Sequence, residues 1–228
     1  MKRKTLVAWS SGKDSAWALH TLRAQPDIEV AGLFCTVNKD AQRVAMHAVR
    51  TALLQRQAAA TGLPLEILEL PDPCGNADYE QIMTAFLTRV RQAGIDCIAF
   101  GDLFLRDVRA YREERLADSG IQPVFPLWDV PTDTLSETII ASGTKAIITC
   151  VDSRCLSADF VGRPYDHDFL DSLPPGVDPC GENGEFHSFV WDGPMFSGCV
   201  PVVAGQVVQR DAFVYIDLVQ AGHPTAPL

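Results

Sequence analysis

The amino-acid sequence predicts an α/β fold: a parallel sheet with helices on both faces, followed by a smaller α+β region. Apolar runs rich in β-branched residues alternate with helix-period segments from residue 5 to residue 125, the pattern of successive βαβ units. Small, hydroxyl or acidic residues directly follow three of those runs, at Ser10–Ser15, Thr36–Asn38 and Gly101–Asp102. In a parallel sheet these are strand ends, where ligands bind. Beyond residue 160 the alternation gives way to a Pro-, Gly- and Asp-rich stretch and then to strand-like runs in succession.

Residues 5–9 read as the first strand, and residues 14–24 as a helix with Ala16, Leu19, His20 and Arg23 at helical spacing, closed by Pro26. Ile28 to Val37 reads as the second strand. Residues 41–61 carry the longest helical signal, because Ala45, Ala48, Val49, Ala52 and Leu53 recur at i, i+3, i+4, i+7 and i+8 before Gly62. That spacing puts His47 near the start of the helix. Leu65 to Leu70 reads as a third strand. Residues 78–93 read as a helix with Tyr79, Ile82, Phe86 and Val90 on one face, and Ile95 to Phe100 as a fourth strand.

A charged helix from Asp107 to Asp118 precedes a short strand, Gln122 to Phe125. A helix near 132–142 ends at Gly143, and Ala146 to Val151 reads as a strand. Residues 162–182 read as a surface loop with a short helix. Strands follow at Phe186 to Trp191, Cys199 to Val203, Val207 to Gln209 and Phe213 to Val219. Ala204-Gly205-Gln206 is expected to be a hairpin turn, and the tail from Gly222 to be loose. A boundary near residue 125 divides the chain into 1–125 and 126–228.

With 228 residues, 47% hydrophobic and 21% charged, the chain has the composition of a soluble globular protein. Its net charge of −10 argues against a broad nucleic-acid footprint, which needs clustered Lys and Arg. The seven cysteines form no C-x-x-C pair and are odd in number, which supports neither a zinc site nor a disulfide framework. Met1-Lys2-Arg3-Lys4 resembles a signal n-region, but the apolar run after it is too short. No stretch reaches the roughly 20 apolar residues of a membrane helix. A cytoplasmic protein is expected.

Leu6 to Ser15 is the stretch around which the chain is organised: a buried strand, a slim loop, then a helix start. A helix start leaves N–H groups without partners and carries partial positive charge, so it attracts phosphate. Ser11 and Gly12 keep the loop slim, Ser10 and Ser15 offer hydroxyls, and Lys13 adds a positive charge. Asp14 can cap the helix or hold Mg²⁺. The pattern is not G-x-x-x-x-G-K-[ST], because Asp14 follows Lys13 and the loop is shorter.

Two further clusters carry chemistry. Gly101-Asp102 is followed by Arg109, Arg112 and Glu113, spaced to share a helix face. Asp178 to Ser188 holds Glu182, Asn183, Glu185 and His187, with glycines at 181 and 184. Paired carboxylates can bind an amine, bind Mg²⁺ or act as acid and base.

The loop Ser10-Ser11-Gly12-Lys13-Asp14-Ser15 resembles the S-G-G-K-D-S pyrophosphate loop of the N-type ATP pyrophosphatases, with Ser11 at the position of the first glycine. The rest of the pattern is Met46-His47-Ala48-Val49-Arg50, Gly101-Asp102 with Tyr111-Arg112-Glu113, Pro126-Leu127-Trp128 and Gly181-Glu182-Asn183-Gly184-Glu185-Phe186. Together these resemble the diphthine–ammonia ligase family within that group. The resemblance runs in order from about residue 5 to residue 196. The stretches 101–105 and 109–112 look like its compact, mostly bacterial members.

The resemblance implies an adenine-nucleotide α-hydrolase-like (Rossmann-like, HUP-type) ATP-binding domain over 1–125 and a substrate domain over 126–228. It implies ATP with Mg²⁺, split to AMP and pyrophosphate. A substrate carboxylate is adenylated and then amidated by ammonia; in eukaryotic and archaeal members that substrate is diphthine on elongation factor 2. Ser10, Ser11, Gly12, Lys13, Asp14 and Ser15 are expected to hold the phosphates, and Thr36, His47, Gly101 and Asp102 to complete the nucleotide site. Asp14 and Asp102 are the Mg²⁺ candidates. Lys13, Glu182 and Glu185 are the catalytic candidates, and Arg109, Arg112, Glu113, Asn183 and His187 the substrate-binding ones. The expected partners are a small-molecule or protein carboxylate and ammonia, with a homodimer allowed for and neither nucleic acid nor membrane. A tRNA-thiolating enzyme and a non-catalytic ATP-binding regulatory module are the alternative readings.

Overall fold

The structure, a computed structural model, describes residues 1–44 and 47–221. Its first half is a sheet of six strands: β1 (Arg3–Ala8), β2 (Ile28–Asn38), β3 (Arg43–Val44), β4 (Leu65–Leu70), β5 (Cys97–Ala99) and β6 (Gln122–Val124). The parallel strands lie in the order β4-β2-β1-β5-β6, and β3 pairs antiparallel with the last two residues of β2. The chain therefore builds outward from β1 in one direction through β2 and β4, then returns to β1's other side with β5 and β6. The crevice between β1 and β5 is the topological switch point, where sheets of this kind bind ligands.

Helices α1 (Lys13–Arg23), α2 (Thr51–Thr61), α3 (Asn76–Gln92) and α4 (Arg106–Leu116) cover the two faces. Phe86, Val90 and Leu116, from α3 and α4, pack with Phe34 and Ile98 into a smaller core. The larger core, with Leu19, Leu22, Leu53 and Leu54 of α1 and α2, runs on into the second half. That half contains α5 (Thr132–Ala141), α6 (His167–Asp171) and a four-stranded antiparallel sheet. Its strands are β7 (Lys145–Asp152), β8 (Phe186–Asp192), β9 (Val202–Arg210) and β10 (Phe213–Gln220), in the order β8-β7-β10-β9. The predicted α/β class thus holds. No helix among the described residues is long and apolar enough to cross a membrane.

Two predicted elements differ. The helix expected over 41–61 begins only at Thr51, and His47 lies in a turn before it. The residues before Thr51 close on themselves instead: Val44 N–H donates to Val49 at 2.9 Å, and Thr51 N–H donates to Gln42 at 3.0 Å. Val44 and Val49 are buried by this closure, so tertiary packing satisfies the apolar periodicity without a helix. Ala45 and Met46, which belong to that stretch, lie outside the described residues.

The hairpin expected at 204–206 is instead the middle of the continuous strand β9, and the chain reverses at 211–212, where Asp211 has φ 51°. Gly205 serves close approach rather than turning, since a Cβ there would come within 3.2 Å of the Asp217 carbonyl. The pairing of β9 with β10 also slips at that point, as a β-bulge requires. The tail from Gly222 lies outside the described residues.

Candidate active site

A cavity of about 540 Å³ opens at the C-terminal ends of β1, β2 and β5. The loop after β1 forms one wall. Ser11 is fully buried at φ 73°, a left-handed conformation that is strained for a residue with a Cβ. Neighbours hold it there: the Ser11 carbonyl accepts from Val190 N–H of β8 at 3.1 Å and from the Gln57 side chain at 2.9 Å. Gln57 is itself buried, donates to the Val190 carbonyl and accepts from the Trp9 indole at 2.6 Å. One amide thus ties α2, the loop and the second sheet together.

Gly12 and Gly101 are there for closeness. A Cβ on Gly12 would stand 2.7 Å from His47 Cε1, and one on Gly101 would stand 2.9 Å from the Asp14 carbonyl carbon. Ser10 and Ser15 share a hydroxyl hydrogen bond of 3.2 Å, and Ser10 Oγ accepts from Gly12 N–H. Lys13 N–H donates to Ser188 Oγ at 3.2 Å, a contact from β8 to the first turn of α1.

Lys13 is only 2% exposed. Its ammonium donates to both Asp14 carboxylate oxygens, at 2.8 and 2.9 Å, and to the Cys180 carbonyl, and it lies over the rings of Tyr165 and Phe186. Burial works against its charge, but the Asp14 carboxylate and the other acidic neighbours outweigh that and raise its pKa. The lysine stays charged beside the loop.

Opposite stands Glu182. Burial, with the negative charges of Asp14 and Asp102 nearby, pushes its carboxyl up to about 7, although Leu103 N–H donates to Oε1 at 2.7 Å. Asp102 is raised as well, by burial and by Asp14, against the Arg112 guanidinium 3.4 Å away. Asp14, Asp102 and Glu182 all line the cavity. Among the described residues no cluster of three or more His, Cys, Asp or Glu has metal-ligand geometry. Mg²⁺, however, is ordinarily held through one or two carboxylates plus substrate phosphates. Asp14 and Asp102 fit that role, since a cation would offset the burial, and with it the repulsion from Asp14, that raise Asp102.

His47 and His187 form a tilted pair with ring centroids 4.8 Å apart. His47 Nδ1 lies 3.0 Å from the Ser188 carbonyl. A carbonyl only accepts, so Nδ1 carries the proton. Burial keeps His47 below the ordinary histidine value, and burial with the neighbouring His47 and Lys13 pushes His187 down to about 3. Both rings are neutral at pH 7. Thr36 completes the wall at the end of β2.

Other expected residues are placed elsewhere. Glu185 is buried but does not line the cavity. Its Oε1 accepts from Asp178 N–H at 3.1 Å and from the Asn183 side chain at 2.9 Å, so both Glu185 and Asn183 brace the turn that presents Glu182. Asp178 Oδ2 accepts from Glu182 N–H at 2.8 Å, and Gly181, at φ 69°, leaves no room for a Cβ beside the Phe186 carbonyl. Arg112 lines the cavity, stacked on Phe100. Arg109 does not: it pairs with Glu113 at 2.8 Å and stacks on Phe125 and Trp128, beside a separate groove of about 290 Å³.

One part of the cavity carries no signal in the sequence. Met83 and Leu87 of α3, Phe34 of β2 and Phe100 just after β5 give it an apolar lining, together with Tyr111 and Arg115 of α4. In sequence the helix positions look like ordinary amphipathic spacing.

Residues 3–123 match the diphthamide synthase N-terminal domain, and residues 131–220 match the diphthamide synthase C-terminal domain. The chain belongs to the diphthamide synthase family. It is 32% identical over 145 residues to the diphthine–ammonia ligase of Bos taurus, covering 61% of this chain and 54% of that protein. It is 27% identical over 175 residues to the Mus musculus protein of the same name, covering 73% and 64%. Against the Homo sapiens protein the identity is 26% over 176 residues, covering 74% and 66%. The chain thus spans between about half and two thirds of these curated relatives. The two diphthamide synthase matches divide the cavity wall between them, with the loop and Gly101-Asp102 in the first and Glu182 to Ser188 in the second.

Proposed function

We propose that the chain is an ATP-dependent ligase that forms a C–N bond. The observation that supports this best is Glu182, a carboxyl near neutrality facing a phosphate-type loop across one cavity. In this reading the loop Ser10–Ser15 and the start of α1 hold the ATP phosphates, and the nucleoside runs along the strand ends past Thr36. Residues 1–125 form the nucleotide half and residues 126–228 the acceptor half. Arg112 orients the acceptor carboxylate as a planar, two-pronged donor.

A carboxylate oxygen of the acceptor attacks the α-phosphorus, and the bond from that phosphorus to the bridging oxygen of pyrophosphate breaks. Lys13 offsets the charge that develops on the leaving group. Ammonia then attacks the acyl carbon, the C–O bond to AMP breaks, and Glu182 takes a proton from nitrogen. Mg²⁺, held by Asp14 and Asp102, would supply charge neutralisation on the phosphates. The relatives are named for joining diphthine to ammonia; what carries over is the reaction type.

Product analysis tests the reading. Incubation with ATP, Mg²⁺, ammonium and a panel of carboxylates is expected to release AMP and pyrophosphate. Release of ADP would overturn it.

A further inference from the structure

The segment that carries His47 over the phosphate loop is fastened from the opposite half of the molecule. Asp217 of β10 is 3% exposed. Its Oδ1 accepts from Arg43 Nη1 at 2.9 Å and from Arg50 Nε at 3.0 Å, and its Oδ2 accepts from Arg50 Nη2 at 2.6 Å. Arg43 Nη1 also donates to the Ala48 carbonyl at 2.6 Å. Ala48 has φ 53°, so the main chain directly after His47 is in a left-handed conformation that a neighbour must sustain. Arg43 and Arg50 face each other in an antiparallel bridge, and one carboxylate closes both onto the second sheet. The bulged Gly205 makes the seat, because its missing side chain leaves room beside the Asp217 carbonyl and carboxylate.

Within this segment, His47 Cε1 sits against Gly12, and Nδ1 donates to the carbonyl of Ser188, the same residue whose hydroxyl accepts the Lys13 N–H. A chain of hydrogen bonds therefore runs from Asp217 through two arginines to the main chain beside His47, whose imidazole lies against the loop.

We infer that Asp217 is a positioning residue for nucleotide binding, acting through Arg43, Arg50 and His47 and touching no substrate itself. This rests on the loop being the ATP phosphate site. Burial alone would raise the Asp217 carboxyl, but the bonds from Arg50 and Arg43 outweigh it and hold it below the ordinary value, so it is ionised at working pH. Its charge is what orders the two guanidinium groups.

The test is a double-mutant cycle on the full chain, Asp217→Asn with His47→Ala, read by calorimetric ATP binding and by NMR of the His47 ring N–H. Asp217→Asn is expected to weaken ATP binding about tenfold, the worth of one hydrogen bond, in the wild-type background. In the His47→Ala background it should do nothing further. The hydrogen-bonded His47 N–H resonance, present in the wild type, should be lost in Asp217→Asn and retained in Asp217→Glu. Equal weakening in both backgrounds would reduce Asp217 to a stability role and overturn the inference. An unchanged His47 resonance in Asp217→Asn would overturn it whether or not ATP binds. Absence of ATP binding by the wild type, with the resonance still controlled by Asp217, would overturn the nucleotide reading alone.

Discussion

Glu182 and Glu185 sit three residues apart in the same turn and face opposite ways. Glu182 points across the cavity at Asp14 and Asp102, and burial leaves its carboxyl near neutrality. Glu185 points inward and accepts from Asp178 N–H and from Asn183. The difference teaches that a pair of carboxylates in a motif need not be a pair in the chemistry. In the proposed reaction one is the reagent, and the other builds the turn that aims it.

The largest expected effect belongs to the shared wall rather than to either glutamate. Lys13→Ala should lower AMP formation about 10³-fold, the upper range for removing one preorganised donor. Circular dichroism should show an unchanged fold, and retained AMP formation would contradict the loop's role. Glu182→Gln should lower the ammonia-dependent rate about 10²-fold while leaving ATP affinity within about twofold, as calorimetry can check. It also carries a sign for stability. Because the folded value is raised from 4.5 to about 7, ionising Glu182 costs stability as the pH rises through that window. Chemical denaturation should therefore find Glu182→Gln more stable than the wild type at pH 8 and no more stable at pH 4.

Glu185→Ala should show the reverse profile. Leaving Asp178 N–H buried without its partner costs about 1–3 kcal/mol, visible as a lower denaturation midpoint, and activity should fall less than in Glu182→Gln. The smallest effect is expected at Arg109→Ala. That guanidinium pairs with Glu113 and stacks on Phe125 and Trp128 away from the cavity. Steady-state rates should stay within about twofold.

The parts of the site that were legible in the sequence are those whose chemistry and position are both local. The loop Ser10–Ser15 and Gly101-Asp102 come just after strands, and Thr36 lies near the end of one, so placing the strands places them on one edge. Orientation was not legible. Whether Glu182 or Glu185 faces the cavity depends on Gly181 at φ 69° and on Asp178 holding the turn, neither of which helical or strand periodicity encodes. The helical spacing of Ala45, Ala48, Val49, Ala52 and Leu53 predicts a helix around His47, yet Arg43 and Arg50 pull that segment onto Asp217, 167 residues beyond Arg50. Gly205 looked like a turn residue, whereas it makes room for a neighbouring strand. The apolar recess has no signature in the sequence, because Met83 and Leu87 simply adjoin Ile82 and Phe86 on the apolar side of the helix, and only the assembled helices show that they line a cavity.

The division of labour between the two glutamates is tested most directly by the pH dependence of amidation. The rate of AMP release should be measured from pH 5.5 to 8.5, with the acceptor selected by product analysis and expressed per free ammonia. Wild type, Glu182→Gln and Glu185→Gln should be compared. A rise through pH about 7 is expected in the wild type, where Glu182 becomes able to take a proton. That rise should be absent in Glu182→Gln and preserved in Glu185→Gln. A rise that survives in Glu182→Gln, or that disappears only in Glu185→Gln, would contradict that division of labour.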